Sequence, residues 1–502
     1  YLKELVEHQR RDNFTSNKLD MASLLPLPNF AKYVNRSELE EELIDRLTNP
    51  DITLTVCKGL GGVGKSQLVK YIIHQKVIKE HFRNIYWFSS ADNPTQLQDQ
   101  VRLLTIDLGL VSREEIGKMS FEEIRGRLLR YLEKKQGPIL LVFDNADDAT
   151  SLEGYLPKGK TQIHRLITTR EPDWSDTIKV GVLHPSESQA LIEKLLLQVE
   201  PQANVLAEFL GHLPLGITHG CAYIRQEKLS INAFIKEIQK NASVLKRNPK
   251  LFGQDLPHSV ASLWQATFKK LEEKYPTALR VLESLSFCDA EKIPTELLEG
   301  LFNKLELLAS MEVRQALISY ELLEERELKG YARTHKGFSM HRLLHQVLQS
   351  GCRDEFERGK EVNIAEQELL LPLLEVLHSS MPYIKSVPSN KWEQGRLYAS
   401  NVAYFLTRAR QGLTTSSLLA SICARMQTYT AYVQNNYQES LEYAKESLEM
   451  RQTLCKGDHP DIADALSNLG LAYKYIGQHQ NALRYFKEAL KMIKDIYGDN
   501  YL

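Results

Sequence analysis

The chain has 502 residues, with 63 lysines and arginines against 64 aspartates and glutamates, for a net charge of −1. This length predicts about three or four domains. Hydrophobic residues make up 43% and charged residues 25%, which excludes a disordered chain or a bundle of membrane helices. The near-zero net charge provides no general field that would attract nucleic acid or an anionic membrane. The 6 cysteines form no CxxC pair, which favours reduced thiols in the cytosol over a disulfide framework or a zinc site.

The first 28 residues predict a short helix followed by a linker. Leu2 and Leu5 have helical spacing within residues 1–13, and the prolines of the later LLPLPNF segment disfavour a continuing helix. Because the chain begins with Tyr1 rather than Met, we expect a further segment upstream in the natural protein.

Residues 29–185 alternate between strand and helix patterns. After a helical pattern that starts near residue 35, apolar runs predict four strands, at 52–57, 84–89, 139–143 and 165–169. Helical stretches separate these runs, and such alternation is typical of a parallel α/β sheet.

Beyond residue 186 the helical patterns take over, and three further regions follow. Residues 186–288 predict a helical domain, and residues 289–352 combine short helices with a possible hairpin near 329–340, which suits a winged helix. Residues 353–502 contain only helix pairs. The fold class predicted is therefore an α/β domain followed by a helical domain, a winged-helix domain and an all-α solenoid.

The solenoid prediction rests on an internal repeat. Shifting the C-terminal segment by about 42 residues places YAKESL, at 443–448, over YFKEAL, at 485–490. Gly470 and Ala482 are small residues at the spacing of a tetratricopeptide unit, whereas Thr428 and Ser440 replace them in the first copy. Since solenoids usually end in a polar cap and the last helix here is apolar, we expect the natural protein to continue beyond Leu502.

The clearest chemical signal is the glycine-rich segment GLGGVGKS at residues 59–66, which lies between a predicted strand and a predicted helix. It matches the GxxxxGK[ST] phosphate loop. The glycines let backbone amides surround phosphates, while Lys65 reaches the terminal phosphates and Ser66 ligates Mg²⁺. The residues expected to bind ATP or ADP here are Gly59, Gly61, Gly62, Val63, Gly64, Lys65, Ser66 and Gln67.

The same glycines also have the GxGxxG spacing of a dinucleotide fold. That interpretation requires an acidic residue about 20 positions further on, at the end of the next strand. The strand NIYWFSS ends in serines instead, and the next acidic residue is Asp92. A mononucleotide site is therefore favoured, and the α/β domain is predicted to be a P-loop NTPase domain.

A mononucleotide loop needs a second strand that ends in a carboxylate near the magnesium ion, and ILLVFDNADD provides Asp144. Hydrolytic relatives usually carry an acidic residue at the next position to activate water, but this chain has Asn145. Because an amide is not a general base, we expect slow turnover unless Asp147 or Asp148 takes that role.

These ordered motifs resemble the STAND-class signalling NTPases of the NB-ARC type, a family that includes apoptosome scaffolds, plant resistance proteins and bacterial sensors. The resemblance covers roughly residues 30–350. YVNRSE, at 33–38, is similar to the family's entry motif, which packs on adenine, although Asn35 replaces the usual glycine. The resemblance therefore implies adenine contacts for Val34 and Arg36.

Three further motifs extend the resemblance. LITTR matches the sensor strand, whose arginine, here Arg170, reads the γ-phosphate. GHLPL matches the GLPL motif, with the extra residue His212, and implies that Pro214 lies on adenine. FSMHR matches the MHD motif with Arg342 in place of aspartate, and implies that His341 contacts the β-phosphate of ADP.

The resemblance implies a cytoplasmic switch that is closed with ADP and self-associates with ATP. Asp144, Lys65 and Arg170 would carry any slow ATPase chemistry, and Ser66 with Asp144 would hold Mg²⁺. A protein ligand would bind the concave surface of the tetratricopeptide repeats. The effector would be an upstream domain or a recruited partner, in an immune or stress response.

Two other functions stay open at this point. One is a tetratricopeptide scaffold whose ADP is structural and never exchanged, which Asn145 keeps possible. The other is an ATP-dependent transcriptional regulator whose winged helix binds DNA, which the neutral charge and the lack of a basic recognition helix disfavour. HRLLH, at 341–345, has two histidines but lacks the glutamate of a metalloprotease HExxH motif.

Overall fold

The computed structural model describes residues 25–89, 91–112, 115–116, 119–146, 152, 154–155, 162–170, 174, 176–245, 258–305, 310–329, 334–356, 364–384, 392–409 and 416–498. These residues divide into two compact units. The first comprises those within Tyr1–Leu110, Arg125–Val244 and Gln254–Leu263, and the second those within Val111–Ile124, Leu245–Gly253 and Trp264–Leu502. The helix expected within residues 1–13 lies outside the described residues.

The first unit is built on a parallel sheet. Its strands are β1 (Leu54–Lys58), β2 (Asn84–Phe88), β3 (Ile139–Phe143), β4 (Ile163–Thr169) and β5 (Thr177–Lys179), in the order β2-β3-β4-β1-β5. All neighbouring strands pair in parallel, which confirms the predicted α/β sheet. Sequence patterns missed β5, because three residues are too few to show a strand period.

Helices precede, separate and follow these strands along the chain, and the last of them continues into the second unit. They are α1 (Ser37–Thr48), α2 (Lys65–Ile72), α3 (Lys76–His81), α4 (Pro94–Asp107), α5 (Phe121–Lys134), α6 (Pro185–Leu196), α7 (Ala203–Phe209), α8 (Pro214–Glu227), α9 (Ile231–Leu245) and α10 (His258–Lys274). Every residue of β3 is buried, as expected for a strand covered on both faces. Proline at the first helical position starts α4, α6 and α8, because its missing N–H has no helical partner to lose there.

The second unit contains a winged helix. Its elements are α11 (Ala278–Leu285), β6 (Ile293–Pro294), α12 (Thr295–Lys304), α13 (Ser310–Ser319), β7 (Glu324–Lys329), β8 (Thr334–Ser339) and α14 (Arg342–Phe356). The three strands form an antiparallel sheet in the order β6-β8-β7, which includes the predicted hairpin. A Cβ at Gly337 would lie 2.6 Å from the Ile293 carbonyl oxygen, so only glycine fits in the central strand there.

Helix pairs follow the winged helix: α15 (Ile364–Ser380), α16 (Trp392–Ala409), α17 (Ser417–Tyr432), α18 (Tyr437–Leu454), α19 (Pro460–Tyr475) and α20 (His479–Tyr497). In the last pair, a Cβ at Gly470 would lie 2.9 Å from the Phe486 ring, so the small residue permits close helix packing. In the pair before it, the buried Ser440 hydroxyl donates to the Gln427 carbonyl at 3.0 Å. A polar contact thus replaces the alanine of the second copy.

Within the described part of the chain, no helix is long and apolar enough to cross a membrane. Cys57, Cys221, Cys288 and Cys423 are buried free thiols, and Cys455 is a half-buried one.

Candidate nucleotide-binding site

The strand order brings three loops to one edge of the sheet. The glycine-rich loop follows β1, Asp144 follows β3, and Arg170 follows β4, which lies between those two strands. Because parallel strands end at the same edge, these three segments converge there. Sequence spacing alone did not reveal that Arg170 occupies the middle position.

The glycine-rich loop takes a backbone path that requires its glycines. Gly62 and Gly64 have φ values of 80° and 94°, in the left-handed region. A Cβ at Gly59 would lie 2.2 Å from the Val180 carbonyl oxygen. Gly64 is the residue before α2, so the loop leads directly to a helix N-terminus, where free amides favour an anion.

Lys65 is buried at the start of α2, with its ammonium turned toward the loop. Its Nζ donates to the carbonyl oxygens of Gly59 at 2.7 Å and Leu60 at 2.9 Å. Burial lowers the pKa of Lys65 to about 8, with Arg170 adding to the shift and Asp144 opposing it. The site therefore has a concentrated positive charge that an anion would stabilise.

The Asp144 carboxylate, 9% exposed, is held by two hydroxyl groups. Ser66 Oγ donates to its Oδ1 at 2.7 Å, and Thr168 Oγ1 donates to the same oxygen at 2.5 Å. The oxygens of Ser66 and Asp144 are the hard ligands that Mg²⁺ prefers, so these residues fit that ion. Sequence reasoning missed Thr168, because a threonine inside a strand gives no pattern of its own.

Asn145 is held by its backbone in a left-handed conformation with φ of 61°. Its N–H donates to Thr168 Oγ1 at 2.8 Å, and its carbonyl accepts from the Asp92 N–H at 2.9 Å. Two hydrogen bonds therefore hold the backbone of Asn145, the residue that follows Asp144. Asp147 and Asp148, which were expected to activate water if Asn145 does not, lie outside the described residues.

Arg36 connects its own segment to two other backbone segments around the site. Its guanidinium donates to the carbonyl oxygens of Val63 at 3.1 Å, Gly181 at 2.9 Å and Val182 at 3.0 Å. Glu187 lies 3.7 Å from its Nε, and the whole residue is 6% exposed. Arg36 thus positions the glycine-rich loop through backbone contacts, a role that the entry motif did not indicate.

The other two residues expected at this edge are less buried. Val34 is half-buried, just before Arg36. Gln67 is half-buried as well, and its Oε1 accepts from the Asn29 N–H at 3.0 Å. Gln67 therefore joins α2 to the segment before α1.

The GHLPL segment lies against the glycine-rich loop. The Leu215 N–H donates to the Gly62 carbonyl at 3.3 Å, and a Cβ at Gly64 would lie 3.9 Å from Pro214 Cγ. The extra residue, His212, has a φ of 53°, and its ring nitrogen bonds Ser188 Oγ at 3.0 Å. A left-handed turn thus accommodates the insertion without moving Pro214 away from the loop.

Comparison with known proteins identifies two families in the sequence. The NB-ARC domain model matches residues 36–200, and the tetratricopeptide repeat model matches residues 413–495. The chain carries an NB-ARC domain and tetratricopeptide repeats. The NB-ARC match covers the glycine-rich loop, Asp144 and Arg170.

The chain is similar to several longer proteins. A "nucleotide-binding leucine-rich repeat (NLR)-like protein" of Hyaloscypha variabilis is 22% identical over 492 residues, which cover 88% of this chain and 46% of that protein. "Disease resistance protein RPH8A" of Arabidopsis thaliana is 26% identical over 35% of this chain and 21% of its own length. The chain therefore spans less than half the length of these curated relatives. Among solved structures, the Aeropyrum pernix ORC1 protein in complex with DNA gives a TM-score of 0.29 at 11% identity, covering 64% of this chain and 94% of that one.

His341 lies outside the NB-ARC domain, directly before α14 in the second unit. Its Nδ1 accepts from the Leu343 N–H at 3.2 Å, and Arg342 Nε lies 3.4 Å from a Glu291 carboxylate oxygen. The contact of His341 with a nucleotide stays a prediction. His345, the second histidine of HRLLH, is buried, and its ring nitrogen bonds the Cys288 carbonyl at 2.9 Å.

Proposed function

We propose that the chain is a nucleotide-controlled switch of the immune-sensor kind, which binds ATP or ADP in its NB-ARC domain. One observation carries this proposal: the glycine-rich loop, Asp144 and Arg170 meet at a single sheet edge, with buried Lys65 among them. The names of the related proteins, an NLR-like protein and a disease resistance protein, support the immune context.

The phosphates would take over the hydrogen bonds that Lys65 makes within the loop. Its ammonium now donates to two loop carbonyls, and phosphate oxygens are stronger acceptors because they carry charge. Phosphate binding would also raise the lowered pKa of Lys65, since an adjacent anion favours the charged ammonium. Arg170, which already acts electrostatically on Lys65, would distinguish ATP from ADP by contacting the γ-phosphate.

Ser66 and Asp144 would hold Mg²⁺, which would offset the negative charge of the phosphates when bound. The Thr168 hydroxyl orients the Asp144 carboxylate for this purpose. The backbone of Asn145 is fixed, and its amide side chain cannot remove a proton from water. We therefore propose that the switch depends on nucleotide exchange, with at most slow hydrolysis.

The two states would differ in their contacts with the nucleotide. With ADP, Pro214 and His341 would keep the protein closed, and with ATP, Arg170 would favour an open form that self-associates. Moving such an equilibrium from 1:99 to 99:1 requires about 5.5 kcal/mol of differential binding. A γ-phosphate contact alone supplies less, so a protein ligand on the tetratricopeptide repeats would provide the rest.

The test is to denature freshly purified protein and to identify the nucleotide that is released. We expect about one ADP per chain in the wild type. Lys65→Ala should bind ADP about 10- to 100-fold more weakly, because it loses a charged hydrogen bond. Lys76→Ala is the matched control, because Lys76 is exposed and forms a surface ion pair with neighbouring Glu80. His341→Ala should replace ADP with ATP and increase the mass of the assembly.

A tetratricopeptide scaffold with a permanent, structural ADP is the second candidate, and Asn145 favours it because that residue cannot activate water. Added labelled ADP distinguishes the two. A switch exchanges its nucleotide, whereas a structural ADP stays bound in the wild type and in His341→Ala. If the wild type neither retains nor binds any nucleotide, the proposed switch is wrong.

A further inference from the structure

Three metal-binding side chains lie together between the two repeats. Residues 455–461, here called the connector, run from the end of α18 into the first turn of α19. The Cys455 thiol, the His459 ring and the Asp461 carboxylate each offer one ligand atom, and these atoms lie within 4.8 Å of one another. Among the residues that the structure describes, no other group of three histidine, cysteine or acidic side chains lies this close.

The backbone of the connector is fixed at both ends. The Cys455 N–H donates to the Arg451 carbonyl at 2.9 Å, so the thiol is held at the end of α18. The His459 carbonyl accepts from the Ala463 N–H at 3.1 Å, so the imidazole is held at the start of α19. Between them, Gly457 has a left-handed φ of 73°, which allows the chain to turn. The ligands are therefore held near one another before a metal binds.

The His459 ring presents an unprotonated nitrogen to this group. His459 Nδ1 accepts from the Asp461 N–H at 3.2 Å and lies 3.9 Å from Asp461 Oδ2. Because Nδ1 accepts a hydrogen bond, it has the lone pair with which imidazole ligates metals. A hydroxyl suffices to cap a helix, as Ser416 does for α17 by accepting from the Leu419 N–H at 3.1 Å. The imidazole of His459 thus offers more than the cap of α19 needs.

The three ligand types together favour zinc. Thiolate and imidazole ligands select Zn²⁺ over the hard ions Mg²⁺ and Ca²⁺, and zinc also accepts a carboxylate. In a tetrahedral site the ligand atoms are about 3.3–3.6 Å apart, given a Zn–S bond of about 2.3 Å and Zn–N and Zn–O bonds of about 2.0–2.2 Å. The 3.9 Å between His459 Nδ1 and Asp461 Oδ2 is close to that separation. Side-chain rotations within the connector are enough to complete the geometry.

The group is open enough for a metal to enter. The side chains of His459 and Asp461 are 44% and 54% exposed, and Cys455 is half-buried. A metal would replace the Asp461 N–H at His459 Nδ1, and this exposed amide would then bond water. Arg451 bonds the main-chain carbonyl of Asp461 at 2.7 Å, which joins α18 to α19 without occupying the carboxylate.

We propose that Cys455, His459 and Asp461 bind one Zn²⁺, with water as the fourth ligand. On binding, the Cys455 thiol becomes a thiolate and its proton passes to the solvent. The ion would link the end of α18 to the start of α19, and so hold the first repeat against the second. The site uses residues of the second unit alone, so it stands independently of the proposed nucleotide switch. No CxxC pair marks it in the sequence, because the turn at Gly457 brings its ligands together.

The test is to titrate the full chain with Zn²⁺ and with Co²⁺, in the presence of Mg²⁺ and ADP. We expect one zinc per chain, measured by competition with a chromophoric chelator, and a near-ultraviolet charge-transfer band from thiolate to cobalt. Cys455→Ser should abolish that band. His459→Ser keeps an oxygen for the cap and removes the imidazole. His459→Ser and Asp461→Asn should each weaken zinc binding by more than about 100-fold, the largest loss typical of a residue that only supports a ligand.

His479→Ser is the matched control, because His479 is an exposed histidine at the start of α20. It should leave the zinc affinity unchanged. A measurement on the wild type needs no variant to fold: zinc should protect Cys455 from a maleimide, as identified by peptide mass spectrometry.

Three results would overturn the proposal. One is a wild-type chain that binds no zinc, or that binds zinc without protection of Cys455. Another is a charge-transfer band that persists in Cys455→Ser. The third is a zinc affinity of His459→Ser equal to that of His479→Ser. Each of these results leaves nucleotide binding by the first unit unaffected, and loss of nucleotide binding leaves the zinc site unaffected.

Discussion

Removing the guanidinium of Arg36 should destabilise the first unit even when no nucleotide is bound. In Arg36→Ala, three carbonyl oxygens lose their donor: those of Val63, Gly181 and Val182. Because Arg36 is only 6% exposed, water replaces these bonds poorly. The Glu187 carboxylate would also lose the cation that lies 3.7 Å away.

The magnitude follows from the cost of buried polar groups that lack a partner. One such carbonyl costs about 1–3 kcal/mol, and breaking a buried ion pair from one side costs about 3–5 kcal/mol. Since Glu187 is partly exposed and the carbonyls can relax together, we expect a total of about 3–5 kcal/mol rather than the sum. Arg36→Lys, which keeps the charge but not the planar fork, should lose less.

The assay is urea unfolding of nucleotide-free protein, followed by far-UV circular dichroism. Arg46→Ala is the matched control in α1, the helix that begins directly after Arg36, because Arg46 forms a surface ion pair with Asp176 at 2.9 Å. That pair contributes about 0–1 kcal/mol. If Arg36→Ala unfolds at the same urea concentration as Arg46→Ala and loses only nucleotide affinity, then Arg36 acts on the adenine and the positioning role is wrong.

Two further predictions concern the core of each unit. His164 is buried and bonds Thr55 Oγ1 at 2.8 Å, and burial lowers its pKa from 6.5 to about 4. Between these two values the unfolded chain binds more protons than the folded chain, so the free energy of unfolding should fall by about 3 kcal/mol as the pH drops from 6.5 to 4. The fall should be smaller in His164→Gln. Calorimetry across this pH range measures both. In the second unit, Gly470→Ala places a methyl group 2.9 Å from the Phe486 ring and 3.2 Å from the Ala482 carbonyl, and should cost about 1–3 kcal/mol through overpacking. An unchanged melting temperature would show that the two helices of the last pair move apart to accept the methyl group at no cost, and the prediction would be wrong.

The sequence determined the parts of this protein that depend on neighbouring residues. The glycine-rich loop, the strand that ends in Asp144, and the repeat that aligns Gly470 with Thr428 are all local patterns. These features could be predicted because a glycine-rich loop with its lysine, and a 42-residue period, are each recognised within one continuous stretch of sequence. The NB-ARC and tetratricopeptide models match the same regions.

The tertiary structure decided which distant residues meet. The strand order places Thr168 against Asp144. His345 is buried and bonds the Cys288 carbonyl. Arg36, a residue of the entry motif, donates to the backbone of residues 181–182. The contact of Asn435 with Met119 likewise has no local signature. Each of these is a polar contact between segments far apart in sequence, and a single chain records which groups need partners but not which partner the fold brings within 3 Å.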